Sequence, residues 1–343
     1  MLFVSSLFTR VFRWQVPSYI FLISIALLLF LLVKNYKEKY ADEIKIGNLS
    51  MAPVQNHEST EVFRLHDSKL TSPLLLTEHN EISAAMAPIS QKLSEMVNDN
   101  ISRGNLESAS IYLRKMNEAS SVSINGNEEY NPGSMMKIPI MMTCLKLSMA
   151  DPLLMNKKIQ FVSHNINLST EAGAQDILVP GKSYTVKELI EYMIIDSDNE
   201  SMGLLFTLLG QDKIDKIFTD LNIHIPERTA DAFNMNVKSF SRFLSVLYNA
   251  TYLDVKNSEW ALTMLSKVKY NKGITRTLPK QITVAHKYGV EFNGNTKFLS
   301  ESAIVYNNSD PYMIVVMTKG TDYNKQSEFI SQLSDVVFNK MNN

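Results

Sequence analysis

A serine and a lysine stand three residues apart at the start of an apolar segment, and together they could form an activated nucleophile. Ser134 and Lys137 follow the turn-forming pair Pro132-Gly133 and border the apolar run 138–142. Residues three apart share a helix face, and the free N–H groups at a helix N-terminus stabilise negative charge. A lysine in apolar surroundings shifts toward its neutral form and can accept a proton. The pair therefore predicts a serine nucleophile beside an oxyanion site. On this spacing alone, a helix-capping Ser134 and a surface Lys137 are favoured.

A second polar cluster, the tripeptide Ser197-Asp198-Asn199, lies between two predicted helices, where side chains can point into a cleft. A hydroxyl and an amide close together suit proton transfer to a leaving nitrogen and the binding of a peptide-like carbonyl group. The alternative is a simple helix-capping turn, and that interpretation is favoured when the tripeptide is considered by itself.

A third cluster, His286-Lys287-Tyr288-Gly289, ends an apolar segment that is typical of a strand. A glycine there allows a ligand to approach the backbone closely. An inward-pointing Lys287 would anchor a substrate carboxylate or act through its electric field. The alternative is an edge-strand lysine that discourages aggregation, and for this segment alone it is slightly favoured.

The composition argues against several other classes of protein. The 343 residues carry a formal net charge of -1 with no basic block, so we expect no nucleic-acid partner. The single cysteine, Cys144, cannot form an intrachain disulfide and is expected to pack in the core. Paired Cys/His spacing and a Gly-rich phosphate loop are both missing from the sequence, so we expect neither a metal nor a cofactor.

A membrane anchor is predicted near the N-terminus. Residues 16–33 form an almost uninterrupted apolar run, close to the minimum length that spans a bilayer as a helix. Arg10 and Arg13 precede the run and no small-x-small cleavage pattern follows it, which favours an uncleaved anchor over a signal peptide. We therefore expect a single-pass protein of the cell membrane that contacts the lipid bilayer through this run. Residues 1–15 would be a short cytoplasmic end, and the catalytic domain would be extracytoplasmic. Lys34, Lys37 and Lys39 follow the run and weaken the orientation signal from the positive charges that precede it. The predicted orientation therefore rests mainly on the predicted chemistry.

The remainder of the chain divides into a tether and a folded domain. Residues 34–67 are polar and lack sustained periodicity, which predicts a tether. Residues 68–343 are predicted to form one domain. Strand patterns occur at 109–113, 121–124, 282–288, 302–306 and 312–318, and helical patterns at 82–101, from 134, and at 185–195, 200–209, 211–221, 237–249, 258–268 and 323–341. Strands from distant segments imply one antiparallel sheet with an all-helical subdomain inserted at about 151–270.

Taken together, the three clusters resemble the ordered motifs Ser-x-x-Lys, Ser-Asp-Asn and Lys-Thr-Gly of the serine β-lactamase and penicillin-binding-protein superfamily. The chain is most similar to class A β-lactamase-like serine hydrolases, over roughly residues 108–341, and the stretches 179–185 and 284–287 agree with the similarity. The resemblance implies an α/β (α+β) fold of β-lactamase type, with an antiparallel sheet flanked by helices. It also implies an enzyme that acts on C–N bonds through an acyl-enzyme.

Catalytic roles are implied by the resemblance for four residues. Ser134 would be the acylated nucleophile, and Lys137 would take its proton or orient a water that does so. Ser197 would pass a proton to the leaving nitrogen, and Lys287 would supply the electrostatic anchor. Asp198 would be structural, buried against backbone donors.

Substrate-binding roles are implied for the neighbouring positions. Asn199 would hold an amide of the substrate side chain. The segment Tyr288, Gly289 and Val290 would line the site, and the backbone N–H groups of Ser134 and Val290 would form the oxyanion hole.

Two departures from the family pattern bear on the reaction. Lys-Thr-Gly has become Lys-Tyr-Gly, and the bulky Tyr288 puts the recognition of penicillins in doubt. The Glu-x-x-Leu-Asn segment that supplies the deacylating glutamate in class A enzymes is also missing from the shorter passage 226–234. Glu227 and Asp231 are the only acidic substitutes there, and both are weak candidates. Without a base to activate water, an acyl-enzyme turns over slowly.

The sequence therefore predicts a membrane-anchored serine hydrolase that acts through an acyl-enzyme on an amide bond. By family analogy, the substrate would be a β-lactam or a cell-wall (peptidoglycan) peptide. Two alternatives stay open: a D,D-peptidase or penicillin-binding protein with slow deacylation, and a non-catalytic binding module that retains the fold.

Overall fold

The structure is a computed structural model that describes residues 60–65, 72–79, 86–118, 120–163, 177–225, 233–307 and 310–341. The predicted cytoplasmic end, the apolar run 16–33 and most of the predicted tether lie outside these residues. Within the described ranges, none of the helices combines the length and apolarity that a bilayer crossing requires.

In chain order, most strands lie toward the two ends of the described domain, and most helices lie between them. The strands are β1 Thr60–Arg64, β2 Leu74–His79, β3 Ser108–Lys115, β4 Ser121–Ile124, β5 Lys158–Gln160, β6 Ser183–Thr185, β7 Thr283–Asn293, β8 Thr296–Tyr306 and β9 Tyr312–Gly320. The helices are α1 Ala87–Ser102, α2 Lys137–Ala150, α3 Val186–Ile195, α4 Asn199–Leu209, α5 Gln211–Asp220, α6 Val237–Tyr248, α7 Val255–Leu265 and α8 Tyr323–Met341. A short 3₁₀ turn, Gly133–Met136, directly precedes α2.

A five-stranded antiparallel sheet with the order β4-β3-β9-β8-β7 is the centre of the domain. Both of its faces are covered, as the burial of the central strand β9 shows. Successive side chains of a strand point to opposite faces. Accordingly, Ile314 and Val316 pack in one apolar cluster with α1 and α8, whereas Met313 and Val315 pack in the other with the helical middle.

Helix α2 runs through the core of the helical layer. Ten of its residues are buried, and they lie on all sides of the helix rather than along one stripe. A helix that is apolar all round is typical of a buried position. The residue that begins it, Lys137, is therefore placed inside the protein and not at the surface.

Polar caps fix the ends of the helices around the site. Thr185 and Glu188 form a capping box at the start of α3, as the sequence predicted. Asp198 caps α4 by accepting a hydrogen bond of 2.6 Å from the Ser201 N–H group. These caps set where α3 ends and α4 begins, and the predicted Ser-Asp-Asn segment lies at that junction.

The predicted antiparallel sheet and the inserted helical layer are confirmed, with several changed boundaries. The insertion is not all-helical, because the short strands β5 and β6 pair within it. The hairpin of β3 and β4 and the last helix occur where predicted. Strands β7 and β8 extend further than predicted, because they form one long hairpin that turns at Gly294, with φ of 58°. Helix α7 begins at Val255 rather than at 258, since Asp254 caps it.

One strand lies inside the predicted tether. Thr60–Arg64 pairs antiparallel with Leu74–His79, and Phe63 is buried beneath the Arg242 guanidinium at 4.1 Å. Arg242 also makes two hydrogen bonds to the Glu78 carboxylate. The domain therefore extends N-terminally beyond 68, and a strand with a single well-buried apolar side chain gives little periodicity by which to predict it.

Candidate active site

Ser134 lies in the 3₁₀ turn and not in the first turn of an α-helix. The sequence predicted that the helix begins at Ser134, whereas α2 begins three residues later at Lys137. Gly133 enters the turn with φ of 51°, a left-handed conformation that glycine adopts without strain. Ser134 and Lys137 nevertheless share a face, because the Ser134 Oγ atom is 3.0 Å from the Lys137 Nζ atom.

Four oxygen atoms surround the amine of Lys137. The carbonyl oxygen of Ser197 lies at 2.5 Å from Nζ and the Asn199 Oδ1 atom at 2.6 Å. The hydroxyls of Ser134 and Ser197 lie at 3.0 Å and 3.1 Å. The first two oxygens have no hydrogen to give, so they must accept the N–H groups of the amine. The neutral amine then has one lone pair left, and either the Ser134 or the Ser197 hydroxyl can donate to it.

Burial shifts Lys137 toward this neutral form. Its side chain is fully enclosed, and burial lowers its pKa to about 7, although the nearby Asp198 carboxylate acts to raise the pKa. A neutral amine within hydrogen-bond distance of a serine hydroxyl can take its proton. The arrangement is therefore that of a serine with an adjacent general base.

The Ser-Asp-Asn segment lies at the α3–α4 junction and faces the Ser134 turn. Ser197 has φ of 61°, an unusual value for a non-glycine residue, and its side chain is buried. Its hydroxyl lies between the amines of Lys137 and Lys287, at 3.1 Å and 2.9 Å. Asp198 is buried and caps α4, which agrees with the structural role expected for it. Backbone conformations like that of Ser197 cluster at functional sites, which agrees with a role of this segment in the site.

The amine of Lys287 contacts Ser197 and not Ser134. Besides the Ser197 hydroxyl, it donates to the Tyr288 carbonyl oxygen at 3.2 Å, and it lies 4.3 Å from the centre of the Tyr288 ring. Burial lowers the pKa of Lys287 well below its usual value, the charge of Lys137 lowers the pKa further, and Glu301 raises it. The amine of Lys287 is therefore enclosed in this structure, and its predicted contact with a substrate carboxylate stays a prediction.

Strand β7 is packed directly against the Ser134 turn. A Cβ atom on Gly289 would lie 2.0 Å from the Pro132 carbonyl oxygen and 2.8 Å from the Ser134 nitrogen. A Cβ atom on Gly133 would lie 2.5 Å from the Val290 carbonyl oxygen. Only glycine fits at either point. The backbone segments of Ser134 and Val290, predicted to provide the oxyanion hole, therefore adjoin each other.

The structure brings together Ser134, Lys137, Ser197, Asn199 and Lys287, which the sequence placed in three distant motifs. Their chemical roles stay predictions.

Two further residues at the site were not singled out from the sequence. Tyr270 stacks on Tyr288, and the buried Glu301 lies behind the pair. Glu301 lies just before the strand predicted at 302–306, so no pattern in the sequence marked it as a buried carboxylate. Glu227 and Asp231 lie outside the described residues.

Metal ligation is not indicated in the part of the chain that the structure describes. No group of three or more His, Cys, Asp or Glu side chains there could hold an ion. Cys144 is buried in α2, and burial raises its pKa to about 12, so its thiol packs as an apolar group.

Comparison with known proteins agrees with this architecture. Residues 88–341 match the β-lactamase enzyme family. β-Lactamase VEB-1 of Pseudomonas aeruginosa is 26% identical over 192 residues, which make up 50% of this chain and 63% of VEB-1. The chain therefore spans less than two thirds of the length of this curated relative.

Solved structures of low identity share the fold. PBP-A has a TM-score of 0.65 and 19% identity, and the match covers 75% of this chain and 97% of PBP-A. The class A β-lactamase from Mycobacterium abscessus has a TM-score of 0.65 and 19% identity, and the match covers 73% of this chain and 100% of that enzyme.

Because the family match extends over most of the chain, the protein belongs to the β-lactamase enzyme family. The predicted resemblance to class A β-lactamase-like serine hydrolases and the predicted α+β fold are confirmed.

Proposed function

We propose that this protein is a membrane-anchored serine hydrolase that cleaves an amide bond by acylating Ser134, with its catalytic domain outside the cytoplasmic membrane. The observation that carries the proposal is the 3.0 Å contact between the Ser134 hydroxyl and the buried amine of Lys137. Anchoring rests on the apolar run 16–33, and the location rests on the chemistry of the family.

The reaction begins with transfer of the Ser134 proton to the neutral Lys137 amine. The Ser134 Oγ atom then forms a bond to the substrate carbonyl carbon, and the negative charge on the carbonyl oxygen is stabilised by the N–H groups of Ser134 and Val290. The C–N bond breaks as the carbonyl re-forms, and the departing nitrogen takes a proton through Ser197. Ser197 is suited to this relay, because its hydroxyl is 3.1 Å from the Lys137 amine, which holds the proton.

Slow deacylation completes the proposal. The sequence between α5 and α6 lacks the Glu-x-x-Leu-Asn pattern, so no base for water activation is assigned. Substrates would be β-lactams or cell-wall peptides. In support, a PBP-A mutant of the same fold has been solved as an acyl-enzyme complex with penicillin G. Slow turnover makes a D,D-peptidase or penicillin-binding protein the second candidate.

The test uses full-length protein in detergent and a fluorescent β-lactam, in one form with a free carboxylate and in another with that group esterified. At least one form should label the wild type covalently, and Ser134→Ala should abolish the labelling. Ser148→Ala in α2 removes another buried serine and should label normally. Labelling that persists in Ser134→Ala would reject the proposal.

The lifetime of the adduct distinguishes the candidate reactions. Intact-protein mass spectrometry over time should show a long-lived adduct on Ser134. Rapid loss of the adduct would instead indicate a competent β-lactamase and would contradict slow deacylation.

A further inference from the structure

Lys287 is the only predicted anion anchor of the site, and its amine is completely enclosed. A lysine amine in its charged form has three hydrogens to direct. Here its surroundings are the Ser197 hydroxyl at 2.9 Å, the Tyr288 carbonyl oxygen at 3.2 Å and the face of the Tyr288 ring at 4.3 Å. The side chain has 0% exposure. The Tyr288 ring is the one bulky side chain in direct contact with this amine among the contacts given above.

The Tyr288 ring is held in place by a second aromatic ring. Tyr270, in the segment that follows α7, stacks on it with a centroid distance of 4.0 Å and an interplanar angle of 15°. The hydroxyl of Tyr270 lies 3.5 Å from the Ser327 hydroxyl in α8. The carbonyl oxygen of Tyr270 accepts a hydrogen bond from the Thr275 hydroxyl. Tyr270 and Tyr288 therefore form a fixed aromatic wall, and "aromatic wall" refers below to these two residues.

A buried carboxylate lies behind the aromatic wall. Glu301 of β8 is fully buried, contacts His286 at 2.8 Å and accepts a hydrogen bond of 2.9 Å from the Ile274 N–H group. A Cβ atom on Gly273 would lie 1.8 Å from the Glu301 carboxylate, so the loop that carries Tyr270 is packed closely on this group. The carboxylate thus holds the loop that carries Tyr270 close behind the wall.

We propose that the aromatic wall withdraws Lys287 from the substrate. Among β-lactams and cell-wall peptides, the site would then select neutral acyl donors, in which the group beside the scissile amide is an ester or an amide, over donors that carry a free carboxylate there. The inference rests on the proposed acylation of Ser134 and names the substrate class for that reaction. A carboxylate placed against the wall would lose its hydration without forming an ion pair in return. An ester or amide group in the same position is uncharged, so its loss of hydration costs less free energy. Lys287 would then act only on Ser197.

The experiment compares one β-lactam as the free acid and as its methyl ester, with full-length protein in detergent. The second-order rate constant of acylation is measured for each form by intact-protein mass spectrometry. In the wild type, the ester should react about tenfold faster than the acid, or more. Tyr288→Thr removes the ring from Lys287, so the rate for the acid should rise and the ester-to-acid ratio should fall at least tenfold.

Two conservative variants keep the ring and remove only a hydroxyl. Tyr288→Phe and Tyr270→Phe should both retain the ester preference, because the stack and the contact with Lys287 depend on the rings. A lost preference in Tyr288→Phe would assign the selectivity to the hydroxyl and overturn the shielding by the ring. These variants also keep the test valid if Tyr288→Thr does not fold, which thermal unfolding reports.

The possible failures are distinguishable. If the wild type reacts faster with the acid than with the ester, the selectivity proposal is wrong while the acylation of Ser134 stands. An equal change for both forms in Tyr288→Thr would likewise overturn it. If neither form acylates Ser134, the proposed function itself fails, and this inference fails with it.

Discussion

The two buried lysines of the site differ in what surrounds them. Lys137 has four oxygens within 3.1 Å of its amine, and one of them belongs to Ser134, the proposed nucleophile. The amine of Lys287 contacts the Ser197 hydroxyl and the Tyr288 carbonyl oxygen, and it lies 4.3 Å from the centre of the Tyr288 ring. The nucleophile side, Ser134, Lys137 and Ser197, thus brings hydroxyls and an amine into direct contact. The strand side, Lys287, Tyr288 and Gly289, packs its backbone against the Ser134 turn and has an aromatic ring over the Lys287 amine.

This difference separates bond chemistry from substrate recognition. Proton transfer needs a hydroxyl and an amine in contact, and the nucleophile side supplies them. Recognition of an anion needs an accessible cation, whereas the Lys287 amine on the strand side is enclosed. We therefore expect substitutions on the nucleophile side to change the acylation rate for every substrate. On the strand side, they should mainly change which substrate is preferred.

The largest effect is expected from a matched pair of lysine substitutions. Lys137→Met removes the base and should slow acylation by about 10²- to 10⁴-fold. Lys287→Met removes one hydrogen bond to Ser197 and should slow it by only about tenfold. Both replacements keep an apolar stem of similar length in a buried site. Acylation rates with the ester probe, with melting temperatures as a check of folding, measure the difference. An equal reduction of the acylation rate in the two variants would contradict the different roles proposed for Lys137 and Lys287.

The next effect concerns the close packing of the two sides. Gly289→Ala would place a methyl group 2.0 Å from the Pro132 carbonyl oxygen and displace the Ser134 turn. We expect about 1–3 kcal/mol lower stability from overpacking and up to about 10²-fold slower acylation from misplacement of the nucleophile. The control is Gly203→Ala in α4, where no atom lies within 4 Å of the added methyl group. Normal acylation by Gly289→Ala would contradict the role of this contact.

The smallest effect is expected away from the chemistry, at the start of α3. Thr185→Ala breaks the capping box and should lower the free energy of unfolding by about 1 kcal/mol, without changing the acylation rate. Thr207→Ala is the control, since its hydroxyl donates only to the Gly203 carbonyl oxygen within α4. Urea unfolding and the ester probe measure the two quantities. A slower acylation in Thr185→Ala would mean that α3 also positions Ser197.

Local patterns in the sequence were sufficient for much of the fold. The last helix, Tyr323–Met341, and the capping box at Thr185 follow from residues close in the chain. The meeting of the three motifs could be predicted only through the resemblance to a family, because Ser134, Ser197 and Lys287 are separated by long stretches of chain. Their hydrogen bonds depend on the tertiary fold.

The covering of Lys287 could not be predicted in the same way. It depends on the stacking of Tyr270 on Tyr288, and no periodic pattern relates these two positions. Glu301 was missed for the same reason, since its partners are His286 across the hairpin and the Ile274 N–H group in a separate loop. The strand Thr60–Arg64 was assigned to the tether because its pairing partner, and not its own pattern, determines its structure.

The most direct test of the account is the pH dependence of Ser134 acylation, because the central claim is that a neutral Lys137 takes the serine proton. Burial lowers the pKa of Lys137 to about 7, so the fraction of neutral amine, and with it the acylation rate, should rise with pH and level off above about pH 8. Asp198→Asn keeps a cap for Ser201 but removes a charge that raises the pKa of Lys137, so its midpoint should move to lower pH. A rate that does not change between about pH 5 and pH 9, or a midpoint near the ordinary lysine value of about 10, would contradict the account.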